Sequence, residues 1–321
     1  MYSGYLTDIE GIKLGHYTDD SALTGVSLAV CEEGAVCGVD VRGSAPGTRE
    51  TDLLKAENLV EKVHGVMLAG GSAYGLDAAS GVMKYLEEKD IGMDVTVCKV
   101  PIVVGAVIFD LSVGNPFVRP DFKMGYEAAK NAKNEDKSMG LVGAGTGASV
   151  AKILGNDYAI KSGLGQASIS LGDLKVAAIT SLNAFGDIFD HEAGKLIAAP
   201  YDKENKKFLD TMKLYEEKNS DYNAFNRSTN TTISIVATNA RLTKANANKV
   251  AQMAHDGYAR SIIPVHTMFD GDTIFSMATN KVDADISLVG SLAAKAVSRA
   301  IANAIYSSNS SYGLISYNDI K

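Results

Sequence analysis

The 321-residue sequence predicts a mixed α/β fold, with sheets packed beneath helices on their outer faces. Two observations carry this. Short β-branched runs and apolar segments of helical period are interspersed along the whole chain. The strands also meet through tight hairpin turns, without strict strand–helix–strand alternation. The length allows one large domain or two modest ones, and the only compositional break is a polar stretch at 201–230, so a single domain is expected.

The elements follow in order. Residues 26–30 and 35–41 read as two strands around the turn Glu32-Glu33-Gly34. Residues 50–63 read as a helix starting near Thr51 or Asp52. A short apolar strand at 66–69 ends in Gly70-Gly71-Ser72, and a helix over 74–89 places Leu76, Ala79, Met83 and Leu86 on one face. Residues 95–100 and 103–111 read as extended and buried. Pro120 suits the start of a helix over 121–132. The glycine-rich stretch 140–147 leads into a helix over 148–154 that carries Lys152.

Strands at 166–171 and 174–182 join through Gly172-Asp173, a hairpin dipeptide, and the second delivers Asn183 at its end. Residues 201–230, rich in Lys, Glu, Asp and Asn, read as an exposed linker with one helix at 206–218. Such a segment suits a surface insertion or a cleavage junction. After Thr231 a strand runs to 237 or 238, Thr243 caps a helix to about 261, a strand lies near 273–278, and a last helix spans 288–305.

Composition narrows the function. The formal net charge of −7 argues against nucleic acid, whose phosphates need a basic face. The three cysteines, Cys31, Cys37 and Cys98, are odd in number and form no CxxC pair, so a reducing compartment is expected. No signal-peptide pattern opens the chain and no window approaches 18 uninterrupted apolar residues, so a cytoplasmic protein without a membrane partner is expected. His16, His64, His191, His255 and His266 form no metal spacing, and neither a metal nor a cofactor is implied.

The chemistry centres on Asn230-Thr231-Thr232-Ile233-Ser234. Cleavage before Thr231 would place a hydroxyl and a free α-amine on one residue. An α-amine has a pKa of about 7.7–8.0, so near neutral pH it can act as the base for its own side chain. Asp270-Gly271-Asp272 puts two carboxylates around a glycine, as either an Asp-Gly turn or a pair that manages protons or holds a cationic amine. Lys152 is either an exposed helical lysine or a buried one acting on a neighbouring nucleophile. Asn183 is either a turn residue or an oxyanion donor. Gly143-Ala144-Gly145-Thr146-Gly147 lacks both the P-loop ending and the dinucleotide-binding register. No GxSxG elbow is present, although sequence leaves a Ser-His-Asp triad open.

Several longer segments resemble, in one order, the L-aminopeptidase/D-esterase (DmpA-like) family of N-terminal-nucleophile hydrolases. They are residues 43–52 (GSAPGTRETD), 70–79 (GGSAYGLDAA), 142–148 (VGAGTGA), 236–240 (VATNA), 254–257 (AHDG) and 265–273 (VHTMFDGDT). With threonine after asparagine at the junction, the chain looks nearest the nylon-oligomer (6-aminohexanoate-oligomer) endohydrolase branch, whereas the peptidase branch has serine after glycine. The resemblance implies a four-layer α/β/β/α sandwich and autocleavage between Asn230 and Thr231. Fragments 1–230 and 231–321 would remain one associated hydrolase domain. It implies Thr231 as nucleophile, Lys152 and Asn183 as its contacts and oxyanion stabilisers, and Asp270 and Asp272 as the carboxylate pair. It further implies a small peptide or amide substrate and a homo-oligomer, a tetramer by family resemblance. An acyltransferase of the ornithine acetyltransferase type and a non-catalytic ligand-binding homologue are the alternatives.

Overall fold

Strand β1 (Lys13–Asp19) pairs antiparallel with the first half of β2 (Thr24–Val41), an 18-residue strand that serves both halves of the molecule. The computed structural model describes residues 1–217 and 230–320. On one side, β2 pairs with β3 (Lys62–Ala69), which runs parallel to β4 (Val103–Val107). A two-residue strand, Thr48–Arg49, closes that edge. On the other side lie the hairpin of β5 (Leu164–Leu171) and β6 (Leu174–Ser181), then β7 (Ile233–Ala240) and β8 (Thr273–Val282). Strand β8 runs parallel to β7 and antiparallel to the second half of β2.

Strand alternation sorts these side chains into three apolar layers. Val26, Leu28, Met67 and Val103 pack against α1 (Ala78–Glu88) and α2 (Phe122–Lys130), through Val82, Leu86, Met124 and Ala128. The opposite faces of the same strands, with Val66, Leu68 and Val104, meet Ile179, Ile235, Phe275 and Met277 of the second leaf. The outer face of that leaf carries Val176, Val236 and Ile274, covered by α4 (Lys244–Ser261) and α5 (Ile286–Tyr306). The result is the expected four-layer α/β/β/α sandwich, built on one hydrogen-bonded sheet doubled over along β2. Although α5 is long and apolar enough to cross a membrane, its Val289, Val297 and Ile301 are buried in this core.

Local signals hold where capping sets the boundary. Asp121, Thr243 and Asp285 each accept a hydrogen bond from the third residue beyond them, starting α2, α4 and α5. Five expectations fail. Glu32-Glu33-Gly34 is no hairpin turn but an irregularity inside β2, where the strand passes from one leaf to the other. A bulge and a turn use the same exposed polar and glycine residues, so local composition cannot separate them. The helix expected at 50–63 is a single 3-10 turn, Asp52–Leu54: Leu54 is enclosed, Leu59 is 85% exposed, and Val63 is buried as part of strand β3, so no apolar face of helical period forms. The stretch 95–100 is an exposed hairpin tip, with Val97 89% exposed.

The helix expected to carry Lys152 is absent. Ser149–Val150 is a short strand, and Ala151 has a φ of 60°, which ends any helical path before Lys152. In the polar stretch, Tyr201–Asp202 and Lys207–Phe208 pair, and a helix α3 (Thr211–Glu217) follows. Tyr201 and Thr211 are buried, so this part is no free linker. The remainder of that stretch, 218–229, lies outside the described residues.

Candidate active site

Thr231 lies just before β7, where the β7–β8 pairing is extended by one parallel bridge between Asn230 and Asp270. The Asn230 N–H donates to the Phe269 carbonyl at 2.9 Å, and the Gly271 N–H donates to the Asn230 carbonyl at 3.0 Å. The Thr231 hydroxyl donates to that same Asn230 oxygen at 2.5 Å. The Thr231 N–H donates to the Asn183 carbonyl at 3.0 Å. The carbonyl carbon, the hydroxyl beside it and a polarising N–H are therefore gathered at one peptide bond.

Thr231 faces a cleft of about 120 Å³ whose walls include Pro46, Ser72, Ala73, Phe109 and Phe269. A roomier cleft of about 600 Å³, between Tyr5–Ile12 and Asn134–Lys137, contains none of the residues singled out here. Chemistry, not size, locates the site. Gly271 is sterically required beside the hydroxyl. A Cβ on it would lie 2.7 Å from Thr231 Oγ1 and 2.7 Å from the Ala45 carbonyl oxygen. Gly271→Ala is therefore expected to slow processing on the order of 10²-fold by displacing the hydroxyl. A time course of cleavage after expression checks this, and an unchanged rate would remove Gly271 from the site.

The two carboxylates have different partners. Asp272 is enclosed, and its Oδ1 accepts the Thr232 N–H at 2.9 Å. Its Oδ2 accepts from the His266 N–H at 3.2 Å and from His266 Nδ1 at 2.8 Å. Asp270 Oδ2 accepts the Thr267 N–H at 2.9 Å and the Thr267 hydroxyl at 2.6 Å. Its Oδ1 takes no hydrogen bond from the described residues. Burial, and secondly the Asp272 charge, push the Asp270 carboxyl up to about 6.

Lys152 reaches the site from its loop and is buried. Its Nζ donates to Asn183 Oδ1 at 2.7 Å and to the Asn183 carbonyl at 3.3 Å. Burial pushes the ammonium down to about 7, against the pull of Asp270 and Asp110. Asn183 Oδ1 also accepts the Ser149 N–H at 3.2 Å, and Nδ2 donates to the Phe109 carbonyl at 3.0 Å. Asn183 thus meets Thr231 through its main-chain carbonyl, while its side chain holds Lys152. All the residues singled out from sequence (Thr231, Asn230, Lys152, Asn183, Asp270 and Asp272) converge here.

Others had carried no assigned role. His266 and Thr267 fix the two carboxylates, and both stand in the same nine-residue motif as those carboxylates, which is the signal that could have found them. Asp110 accepts from the Thr24 hydroxyl and the Gly71 N–H, each at 2.7 Å, holding the Ser72-Ala73 wall. Lys161, fully buried, donates to the Ala148 carbonyl at 2.6 Å, and burial pushes it down to about 7. The sequence left a Ser-His-Asp set open, and the fold does align Ser27, His16 and Asp136. Ser27 Oγ lies 2.9 Å from His16 Nδ1, and His16 Nε2 lies 3.4 Å from Asp136. Ser27 is 1% exposed, however, and its Oγ accepts the Ala144 N–H, so it anchors the glycine-rich turn and is closed to substrate.

The architecture is that of the Ntn-hydrolase fold, which solved structures share. A Burkholderia sp. beta-aminopeptidase superposes with a TM-score of 0.69 at 18% identity, covering 98% of this chain and 92% of that one. The L-aminopeptidase D-Ala-esterase/amidase of Ochrobactrum anthropi, described as a variant of the Ntn hydrolase fold, gives 0.68 at 15% identity, covering 95% and 86%. The chain belongs to Peptidase family S58, which it matches over residues 4–316. Among its relatives are an uncharacterized aminopeptidase of Mycobacterium tuberculosis, 38% identical over 98% of this chain and 97% of that one, and the 6-aminohexanoate-oligomer endohydrolase of Paenarthrobacter ureafaciens, 31% identical over 86% and 75%.

Proposed function

We propose that this S58 hydrolase is a self-processing amidohydrolase and aminopeptidase that cleaves small peptides or amides through Thr231. The observation that carries the reading is the Asn230 carbonyl oxygen, hydrogen-bonded by both the Thr231 hydroxyl at 2.5 Å and the Gly271 N–H at 3.0 Å. In the precursor, Thr231 Oγ adds to the Asn230 carbonyl carbon, and the oxyanion builds up where the Gly271 N–H already points. The C–N bond then breaks as the hydroxyl proton passes to the Thr231 nitrogen, leaving an ester. Water hydrolyses it to an Asn230 carboxylate and a free Thr231 amine. The products are residues 1–230 and 231–321, which remain associated because β7 lies between β6 and β8 in the shared sheet.

In the processed enzyme, the Thr231 amine accepts the hydroxyl proton as Oγ attacks the substrate amide. The leaving amine takes that proton, and water then releases the acyl group. The Asn183 carbonyl positions the catalytic nitrogen, and the nearby Lys152 charge favours its neutral, basic form. The open oxygen of Asp270 suits the cationic amine of a peptide. Denaturing mass spectrometry of the purified protein tests the first stage: two fragments meeting at 230/231 are expected, and one full-length species that hydrolyses no amide refutes the reading. A cytoplasmic homo-oligomer completes the proposal, and light scattering reads the assembly.

The Asp270 shift sets a pH dependence. Its carboxyl is neutral below about 6 and ionised above, so holding a substrate ammonium is lost as pH falls through that value. The kcat/KM of the wild type is expected to rise between pH 5 and 7, about tenfold per unit on the acid side. Asp270→Asn should flatten that limb while lowering the plateau. A limb that survives the substitution assigns the titration to another group.

A further inference from the structure

We propose that Arg119 and Tyr74 form a carboxylate-binding subsite at the mouth of the Thr231 cleft, so that the preferred substrates are short peptides or amino-acid oligomers with a free carboxylate on the leaving-group side. This rests on the amidohydrolase reading and adds a substrate class to it.

The Arg119 guanidinium lies 3.8 Å from the centre of the Tyr74 ring. Such stacking holds the plane of the guanidinium and leaves its N–H edge free for a bidentate acceptor. Three other arginines are neutralised, Arg42 by Asp40, Arg241 by Asp283 and Arg299 by Glu192, whereas Arg260, at the end of α4 and away from the Ser72-Ala73 wall, has no ion-pair partner among the described residues. Arg49 is used on the Leu76 carbonyl and the Ser80 hydroxyl. Arg119 has neither a carboxylate nor a carbonyl partner among the described residues, and its ring contact with Tyr74 is the interaction that holds it. Tyr74 itself is 61% exposed, so the pair faces outward.

Its position ties the pair to the cleft. A Cβ on Gly71 would lie 3.2 Å from Arg119 Cβ and 2.7 Å from Pro120 Cδ, so the Arg119-Pro120 backbone packs directly on Gly71. The next two residues, Ser72 and Ala73, are walls of the cleft that holds Thr231, and Tyr74 follows them. That wall is held rigidly: Gly71 N–H donates to Asp110, and Ser72 N–H to the Ile108 carbonyl at 3.0 Å, with Ser72 at a φ of 55°. The site therefore has a buried carboxylate, Asp270, bridged to Asn230 beside the nucleophile, and a guanidinium without a carboxylate partner among the described residues next to the Ser72-Ala73 wall. That polarity matches a substrate with an amine at one end and a carboxylate at the other.

The test compares alanyl dipeptides and tripeptides with their C-terminal amides, using the processed full-length enzyme. The wild type is expected to show a KM for the free acids on the order of tenfold below that for the amides, the scale of one charge-assisted hydrogen bond. Arg119→Gln should raise KM for the acids by that factor, leave kcat and the amide kinetics unchanged, and abolish the preference. Arg119→Lys, which keeps the charge and loses the fork, should restore part of it. Equal treatment of acids and amides by the wild type, or equal losses on both in Arg119→Gln, overturns the subsite. Calorimetry with a dipeptide whose scissile bond is N-methylated, as acid and as amide, reads the same preference without turnover. A wild type that hydrolyses neither series defeats the amidohydrolase reading, and the calorimetric comparison then still decides for or against Arg119.

Discussion

Thr231→Ala is expected to yield one uncut chain with amide hydrolysis at background, a loss on the order of 10⁴-fold or more. The substitution deletes the hydroxyl that sits 2.5 Å from the Asn230 oxygen, and with it both processing and the later acyl transfer. It leaves the backbone hydrogen bonds from Thr231 to Asn183 and from Gly271 to Asn230 in place, so the fold should persist. Thr231→Ser separates chemistry from packing. It keeps the oxygen but lacks the methyl that restricts χ1, so processing should continue more slowly. Mass spectrometry and a melting curve on each variant suffice. An alanine variant that is cut normally, or uncut yet fully active, would end the account.

Lys152→Met is the second substitution with a large expected effect, a fall in kcat on the order of 10²–10³ with the protein still folded. Methionine fills much of the same buried volume without the charge. Asn183 Oδ1 keeps its hydrogen bond from Ser149, so the amide loses one partner of two. What disappears is the cation beside the Asn183 carbonyl, the group that also holds the Thr231 nitrogen. Burial holds Lys152 near a pKa of about 7, so it crosses between charged and neutral forms in the working range. The alkaline side of the kcat profile should therefore move in Lys152→Met, where a purely structural lysine would leave it fixed. An unaltered profile together with unaltered kcat would place Lys152 outside the chemistry.

Helices α4 and α5 were legible because Thr243 and an apolar repeat mark them locally. The hairpin of β5 and β6 was legible because Gly172-Asp173 specifies its turn. Strand β2 was divided in two because a strand that changes leaves exposes Glu32 and Glu33 just as a turn would. A glycine-rich stretch such as 140–147 can open a helix, and that expectation placed Lys152 on one. The backbone instead turns left-handed at Ala151, a cost that only the packed site can impose. Asn183 was expected to donate from its amide. That amide is committed to Lys152 and Phe109, and the contact with Thr231 comes from its carbonyl.

The chain by itself settled which chemical groups are present and in what order. A hydroxyl follows Asn230, two carboxylates flank Gly271, and family-long motifs place both in an S58 hydrolase. Those facts are local, since they depend on neighbours within about ten residues. Which oxygen each group faces was decided only when distant strands closed against one another. Asp270 and Asp272 have the same side chain two positions apart. One is left with an open oxygen and the other is fully used, because different backbone N–H groups and His266 come to meet them. Hydrogen-bond direction and burial belong to contacts between remote segments, and no local pattern carries them.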